Sequence, residues 1–157
     1  MRTQLRADLN EEKCANLKIV GIHSGGAWLA QRLHQDLALT SPIGMLDISF
    51  YRDDFQKIGL HPQVRPSQIP FDVDEARLLL VDDVLYTGRT IRAALNTLFD
   101  YGRPARIDLA VLVDRGGREL PIEPRWLGAS ITLPVQQDLV LTRTPQGQLS
   151  FVIEQYS

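Results

Sequence analysis

Two adjacent carboxylates are the residues of this chain best suited to chemistry. Asp82 and Asp83 come directly after four apolar residues, 78–81, a run that is typical of a buried strand. A capping role at the start of a following helix would account for one carboxylate and leave the other unexplained. Both groups accept hydrogen bonds, so the pair can hold two neighbouring hydroxyl groups of a sugar.

A short turn with a threonine and a glycine follows the carboxylates. Thr87 and Gly88 lie in this turn, which leads into a helix predicted over residues 89–101 with Thr90 at its start. Backbone N–H groups at the start of a helix, together with the two hydroxyl groups, form a cradle for a phosphate. A phosphate cradle beside a pair of carboxylates that can hold a diol predicts a site for ribose 5-phosphate.

The apolar pattern predicts the elements that must position these residues. Predicted strands cover residues 17–22, 45–51, 78–81, 107–113 and 127–133, and predicted helices cover residues 1–16, 27–37 and 89–101. A hairpin is predicted over about residues 139–154, with its turn at Pro145, Gln146 and Gly147. Because strands alternate with helices in the first two thirds of the chain, we expect an α/β fold with a mainly parallel sheet.

Polar groups follow three of the predicted strands. The loop of His23, Ser24, Gly25 and Gly26 follows the first strand, Arg52 follows the second, and the carboxylate pair follows the third. Ligands of parallel sheets bind beyond the carboxyl ends of the strands. We therefore expect these three loops to converge on one edge of the sheet.

The composition predicts one globular domain over residues 1–157, since 44% hydrophobic residues suffice for a single core. No apolar stretch reaches the length of a membrane span, so no membrane partner is expected. The single Cys14 fits a reducing compartment, which makes the cytoplasm the expected location. With 17 basic and 19 acidic residues, the overall charge of −2 does not support nucleic-acid binding.

A polar segment interrupts the pattern between residues 52 and 75. It carries Pro62, Pro66 and Pro70 and shows the period of neither a strand nor a helix. Long irregular segments inside small domains usually serve as flaps over a site. We therefore expect a flexible loop over about residues 52–75.

Three blocks of the sequence resemble one protein family. Residues 81–90, VDDVLYTGRT, look like the phosphoribosyl-diphosphate motif of type I phosphoribosyltransferases. Residues 48–54, ISFYRDD, and residues 109–122, LAVLVDRGGRELPI, are similar to the PyrR-type members, which are pyrimidine-operon regulators and uracil phosphoribosyltransferases. The similarity extends from about Ile19 to Ile131.

The resemblance implies a fold and a reaction. The fold would be that of type I phosphoribosyltransferases, a mainly parallel central sheet flanked by helices, with a flexible loop and a small hood. The reaction would convert uracil and 5-phosphoribosyl 1-diphosphate to UMP and diphosphate, with Mg²⁺ as cofactor. The resemblance also implies a homodimer or higher homo-oligomer, and a second role in binding the leader of pyrimidine-operon mRNA.

The resemblance also implies roles for residues by their position. The catalytic residues would be Asp82, Asp83 and Arg52, and the two aspartates would contact the metal directly or through water. The ribose 5-phosphate would be held by Val84, Leu85, Tyr86, Thr87, Gly88, Arg89 and Thr90. The pyrophosphate loop would be His23, Ser24, Gly25 and Gly26. The base would lie near Val113, Asp114, Arg115, Trp126 and Leu127, with Trp126 either a stacking face or a core aromatic.

Two alternatives stay open at this point. PyrR-type proteins commonly carry Thr-Arg-Gly where this chain has Ser24, Gly25 and Gly26, so a fixed cation beside the leaving group is missing. Either Arg52 or the metal replaces that cation, or catalysis is weak and the protein is a UMP- or UTP-sensing RNA-binding attenuator. Its candidate RNA contacts would be Arg2, Arg6, Lys13, Lys18 and Arg32. The other alternative is a phosphoribosyltransferase for a purine base, because the motif specifies the ribose donor and not the acceptor.

Overall fold

A five-stranded parallel sheet with a helix on each face forms the centre of the structure. The structure, a computed structural model, describes residues 16–48 and 67–156. The elements are β1 (Leu17–Ile22), α1 (Gly25–Asp36), β2 (Gly44–Leu46), β3 (Arg77–Leu85), α2 (Arg89–Tyr101), β4 (Arg106–Asp114), β5 (Trp126–Ser130), β6 (Gln137–Arg143) and β7 (Leu149–Gln155). The sheet order is β2-β1-β3-β4-β5 with all neighbours parallel, while β6 and β7 form a separate antiparallel hairpin. None of the described helices is long and apolar enough to cross a membrane.

Strand β3 contributes to the core on both faces of the sheet. Leu78 and Leu80 belong to the cluster that contains the apolar face of α2, whereas Leu79 and Val81 belong to the cluster that contains α1. Successive side chains of a strand point to opposite faces, so a strand covered on both sides must be apolar throughout. The second cluster also includes Leu141 of the hairpin, so the hairpin packs on the α1 side.

The predicted parallel α/β fold is confirmed, but three boundaries predicted from the sequence are wrong. Strand β3 continues past Val81 to Leu85, because its main chain stays paired with β4, so the two carboxylates lie inside the strand. Helix α1 begins at Gly25, so the two glycines form its first turn and not a loop. Strand β5 ends at Ser130, three residues earlier than predicted.

Other predicted elements lie partly or wholly outside the described residues. The predicted strand over residues 45–51 is observed as β2, which ends at Leu46, and the positions beyond 48 are not described. The predicted helix over residues 1–16 lies outside the described residues but for its last position, as do Arg52 and most of the predicted flexible loop.

The described end of the predicted loop, residues 67–75, lies against the sheet. Gln68 exchanges two main-chain hydrogen bonds with Met45 of β2, of 2.7 and 2.8 Å. Val73 is buried, and Ile69 and Phe71 pack against the α2-side core. This segment therefore covers the outer edge of β2.

The first turn of α1 lies directly against the two aspartates of β3. A Cβ atom on Gly25 would overlap the carboxylate of Asp83, and one on Gly26 would lie 2.5 Å from the carbonyl oxygen of Val81. Glycine has no Cβ, so only glycine permits this distance between helix and strand. The pair of glycines thus sets how closely the start of α1 approaches the carboxylates.

Replacing Gly26 with alanine is expected to lower the free energy of unfolding by about 1–2 kcal/mol. The added methyl would meet the backbone of Val81 and Asp82, which cannot rotate away as a side chain can. The overpacking cost should therefore lie in the upper part of the usual range of about 1–3 kcal/mol, and the ~1 kcal/mol that alanine gains in helix propensity offsets part of it. Urea unfolding measures the change, with the exposed substitution Gln31→Ala on the same helix as control. A Gly26→Ala protein as stable as the wild type would contradict the close packing.

Candidate functional site

A cleft of about 630 Å³ opens at the carboxyl edge of the sheet, between β3 and the hairpin. One wall is formed by the end of β3 and the turn into α2, and the other by the open end of the hairpin. The first wall consists of Asp82, Asp83, Val84, Leu85, Tyr86, Thr87, Gly88, Thr90 and Ile91. The second consists of Val135, Gln137, Asp138, Leu139, Val140, Glu154 and Tyr156, and Arg115 also lines the cleft.

Both carboxylates of the first wall are oriented by the main chain. The backbone N–H of Asp83 donates to Oδ1 of Asp82 at 2.9 Å, and the backbone N–H of Val84 donates to Oδ1 of Asp83 at 2.9 Å. Asp82 is 3% exposed, whereas Asp83 is half-buried. The arrangement therefore presents two fixed groups of carboxylate oxygens to one end of the cleft.

The turn between β3 and α2 has the geometry of a helix start that can bind an anion. Gly88 lies at φ +94°, in the left-handed region that favours glycine, and directly precedes the first helical residue, Arg89. The hydroxyl oxygen of Thr87 accepts a hydrogen bond from the N–H of Arg89 at 3.1 Å. The positive end of the α2 dipole therefore lies at the cleft, next to Thr87, Gly88 and Thr90.

The loop that follows β4 holds this turn through hydrogen bonds and a salt bridge. Arg118 donates from Nη1 to the carbonyl oxygen of Tyr86 at 2.8 Å, and the N–H groups of Glu119 and Leu120 donate to the carbonyl oxygen of Thr87 at 2.9 and 3.1 Å. A salt bridge of 2.8 Å joins Arg89 to Glu119. These contacts were not predicted from the sequence, because the residues lie 30 or more positions apart and no local sequence pattern indicates that they meet.

Arg118 is itself held by a bidentate salt bridge with Asp114. Its Nη1 and Nη2 atoms lie 3.1 and 2.6 Å from the two carboxylate oxygens of Asp114. The hydrogen bond from Arg118 lowers the pKa of the Asp114 carboxyl, against the opposing effect of burial, and the N–H of Gly116 lowers it further. The pair is therefore ionised at neutral pH, and Asp114 is occupied by protein donors.

Of the predicted base-binding residues, Arg115 lines the cleft. Its side chain is 3% exposed, and its guanidinium stacks 4.0 Å above the ring of Tyr86 and lies 3.4 Å from Asp138 of the hairpin. Val113 is buried, and Leu127 packs against the α2-side core. Neither lines the cleft, so the structure does not bring them together with Arg115 in its wall.

Trp126 belongs to the core on the α1 side. It is 3% exposed, clusters with Leu141 and others, and is covered by the guanidinium of Arg125 at 4.5 Å. It also begins β5 and pairs with Ala110, away from the carboxyl edge of the sheet. This placement favours its interpretation as a core aromatic, because the ring is buried and does not line the cleft.

The predicted pyrophosphate loop lies beside the carboxylates and outside the cleft wall. His23 and Ser24 form the turn between β1 and α1, and the peptide bond between them is cis. The N–H of His23 donates to the carbonyl oxygen of Leu46 at 2.9 Å. Gly25 and Gly26 contact Asp83 and Asp82, so the structure brings this segment and the aspartates together.

Comparison with known proteins places the chain in a class. The phosphoribosyl transferase domain family matches residues 3–136, and the chain belongs to this family. Solved structures show the same fold. The chain aligns with a hypoxanthine phosphoribosyltransferase from Staphylococcus aureus at 22% identity and a TM-score of 0.61, over 83% of this chain and 68% of that one. A hypoxanthine-guanine phosphoribosyltransferase from Bacillus anthracis aligns at 16% identity and a TM-score of 0.64, over 83% and 74%.

Curated relatives narrow the class and confirm the resemblance to PyrR-type proteins. A protein of Pseudomonas putida (strain W619), named Bifunctional protein PyrR, is 54% identical over 142 residues, which cover 90% of this chain and 83% of the relative. A protein of the same name from Nitrosococcus oceani is 50% identical over 152 residues, which cover 96% and 86%.

Replacing Asp114 with asparagine is expected to destabilise the fold at pH 7 by about 1.5–3 kcal/mol, the range for hydrogen bonds to charged groups. Because the pKa of Asp114 is lowered in the folded state, its stabilisation is present above the unfolded pKa and disappears as pH falls through the lower folded pKa. The difference between variant and wild type should therefore shrink as the pH falls below about 4, measured by urea unfolding across that range.

The control for this prediction is Glu123→Gln. Glu123 is 80% exposed and lies 3.8 Å from Arg118, so its removal should change stability by less than about 0.5 kcal/mol. A difference between Asp114→Asn and wild type that stays constant from neutral to acidic pH would contradict the assigned ion pair.

Proposed function

We propose that the protein is a uracil phosphoribosyltransferase, which converts uracil and 5-phosphoribosyl 1-diphosphate to UMP and diphosphate. The observation that carries the proposal is the first wall of the cleft, where Asp82 and Asp83 adjoin the start of α2. A carboxylate pair that can bind two neighbouring hydroxyl groups lies beside a helix start that can bind a phosphate, and these two features match the two ends of a ribose 5-phosphate. Membership of the phosphoribosyl transferase family and the similarity to PyrR proteins support the donor and the pyrimidine acceptor, respectively.

In this proposal each part of the first wall contacts one part of the donor. Asp82 and Asp83 accept hydrogen bonds from the 2- and 3-hydroxyl groups of the ribose. The 5-phosphate lies at the start of α2, against Thr87, Gly88, Arg89 and Thr90, where the helix dipole stabilises its charge. Val84, Leu85 and Tyr86 complete the wall along the sugar.

The reaction is a displacement at C1 of the ribose. The bond from uracil N1 to C1 forms, the bond from C1 to the diphosphate oxygen breaks, diphosphate leaves with the electron pair, and N1 loses its proton. The sugar acquires oxocarbenium character between these events. The protein contributes by positioning the two substrates and by stabilising separated charge, which are large terms in catalysis. The predicted flexible loop with Arg52 would exclude water from the site.

The donor atoms at the cleft suit a magnesium ion. Mg²⁺ prefers oxygen ligands and keeps several waters, and Asp82 and Asp83 supply carboxylate oxygens in the first wall of the cleft. Within residues 16–48 and 67–156, no group of three or more His, Cys, Asp or Glu side chains could hold a metal. The aspartates would therefore hold the ion together with water and substrate oxygens. When bound, the ion would neutralise charge on the leaving diphosphate.

A second role in regulating pyrimidine genes is a candidate because the relatives are named bifunctional. The role would be nucleotide-dependent binding of an mRNA leader. Two of the basic residues predicted to contact RNA are described, and both form contacts within the protein. Lys18 donates to the hydroxyl of Ser41 at 3.0 Å, and Arg32 donates to the carbonyl oxygen of Gly147 at 3.3 Å. We place the enzyme first, acting in the cytoplasm as a homodimer or a higher homo-oligomer.

The proposal is tested by measuring UMP formation from uracil, 5-phosphoribosyl 1-diphosphate and Mg²⁺. Hypoxanthine and guanine serve as alternative acceptors in parallel reactions. Turnover specific for uracil is the expected result. Turnover with a purine base would replace the assigned acceptor, and binding of UMP or UTP without turnover would favour the sensor.

Replacing Asp82 or Asp83 with asparagine is expected to lower turnover by about 100-fold or more. An amide keeps the shape of the carboxylate but loses the charge that strengthens its hydrogen bonds to the sugar hydroxyls. Steady-state kinetics measure the loss, and circular dichroism checks the fold. The exposed substitution Asp100→Asn on α2 makes the same chemical change outside the cleft and should leave turnover unchanged. Near-normal activity in both cleft variants would refute the assigned sugar contacts.

A further inference from the structure

Two consecutive carbonyl groups of the phosphate-binding turn, residues Tyr86, Thr87 and Gly88 between β3 and α2, accept hydrogen bonds from the loop after β4. The carbonyl oxygen of Tyr86 accepts from Arg118, and that of Thr87 accepts from the N–H groups of Glu119 and Leu120. All three donors belong to the loop after β4. The turn is therefore held through its carbonyl groups by three donors that are not among the described residues lining the cleft.

Holding these carbonyl groups also sets the direction of the next two N–H groups. In a planar trans peptide the C=O and N–H bonds point in opposite directions, and the peptides of this turn are trans. Because both carbonyls face the loop after β4, the N–H groups of Thr87 and Gly88 face the other way. Thr87 and Gly88 form part of the cleft wall, so these N–H groups are directed at the position proposed for the 5-phosphate.

Other contacts keep Arg118 and Tyr86 in place. The guanidinium of Arg118 is fixed by both oxygens of Asp114. The ring of Tyr86 is in contact with the guanidinium of Arg115 and lies close to Gly117, where a Cβ atom would overlap the ring. Gly117 has φ +76°, which favours glycine at this position. Contacts of the Tyr86 side chain and of the Tyr86 and Thr87 carbonyl groups therefore both fix the conformation of the turn.

We propose that Arg118 is a positioning residue for the 5-phosphate. Arg118 is not among the described residues that line the cleft. It acts through the peptide that joins Tyr86 to Thr87. By binding the Tyr86 carbonyl it orients the Thr87 N–H before the ligand arrives, so less ordering is needed on binding. This inference rests on the proposed function, because it names a residue that supports the same phosphate site.

The test compares Arg118→Gln with wild type in binding ribose 5-phosphate, measured by titration calorimetry. Loss of the charged donor should weaken binding roughly 10-fold, the scale of one hydrogen bond to a charged group. Arg118→Lys keeps a charged donor and should recover part of the affinity. In kinetics, the KM for the phosphoribosyl donor should rise by a similar factor, while the KM for uracil changes by less than about two-fold.

The matched control is Glu123→Gln, which removes an exposed charge 3.8 Å from Arg118 and leaves the carbonyl contacts intact. It should bind ribose 5-phosphate like the wild type. Amide NMR gives a readout that a merely structural role would not move: ribose 5-phosphate should shift the Thr87 and Gly88 signals in wild type, and less so in Arg118→Gln.

Unchanged affinity and unchanged amide shifts in Arg118→Gln would overturn the inference. If that variant fails to fold, the comparison of folded Arg118→Lys with Glu123→Gln decides, and equal affinities would again overturn it. Ribose 5-phosphate binding needs no acceptor base. A protein that binds it in an Arg118-dependent way but does not form UMP would therefore refute the proposed reaction and leave the inference standing.

Discussion

The pairing of β3 with β4 is the interaction on which the rest of the site depends. The ladder runs from Arg77 and Arg106 to Leu85 and Asp114, so it carries the chain through the two aspartates to the edge of the sheet. Because the two strands end together, the turn after β3 and the loop after β4 emerge side by side. That adjacency allows donors in one loop to hold the carbonyl groups of the other, and it fixes the shape of the turn between β3 and α2.

Charge places a second constraint on the cleft. Four of its lining side chains are carboxylates, namely Asp82, Asp83, Asp138 and Glu154. Arg115 is the one cation among the described residues that line it, and it is paired with Asp138. Among the described residues, backbone N–H groups and the α2 dipole are therefore the groups best suited to hold an anionic donor, and a metal ion bound to that donor would offset the carboxylates. Both features agree with a magnesium-bound phosphoribosyl diphosphate.

Much of the fold could be predicted because its signals are local. The apolar run at residues 78–81, the helix from Arg89 and the hairpin around Gly147 each show a pattern within a short window. The end of β3 could not be predicted in this way, because pairing with β4 outweighs the poor strand propensity of two aspartates. Likewise, Gly25 and Gly26 suggest a loop until their contact with β3 shows why a helix there requires glycine.

The site shows the same division between local and long-range information. The carboxylates and the threonine turn form one continuous motif, and the structure places them in one wall of one cleft. The contacts of residues 114–120 with the turn after β3, and the burial of Trp126, depend on which strands are neighbours and on which face of the sheet each side chain lies. Those facts follow from the strand order, and no short stretch of sequence specifies it.

The most direct test of the account is a crystal structure of the protein with 5-phosphoribosyl 1-diphosphate and Mg²⁺. The account predicts ribose hydroxyl groups within hydrogen-bonding distance of Asp82 and Asp83, and the 5-phosphate at the backbone N–H groups that begin α2. A sugar bound elsewhere, with the aspartates facing solvent, would contradict the central claim that this cleft is a phosphoribosyl site.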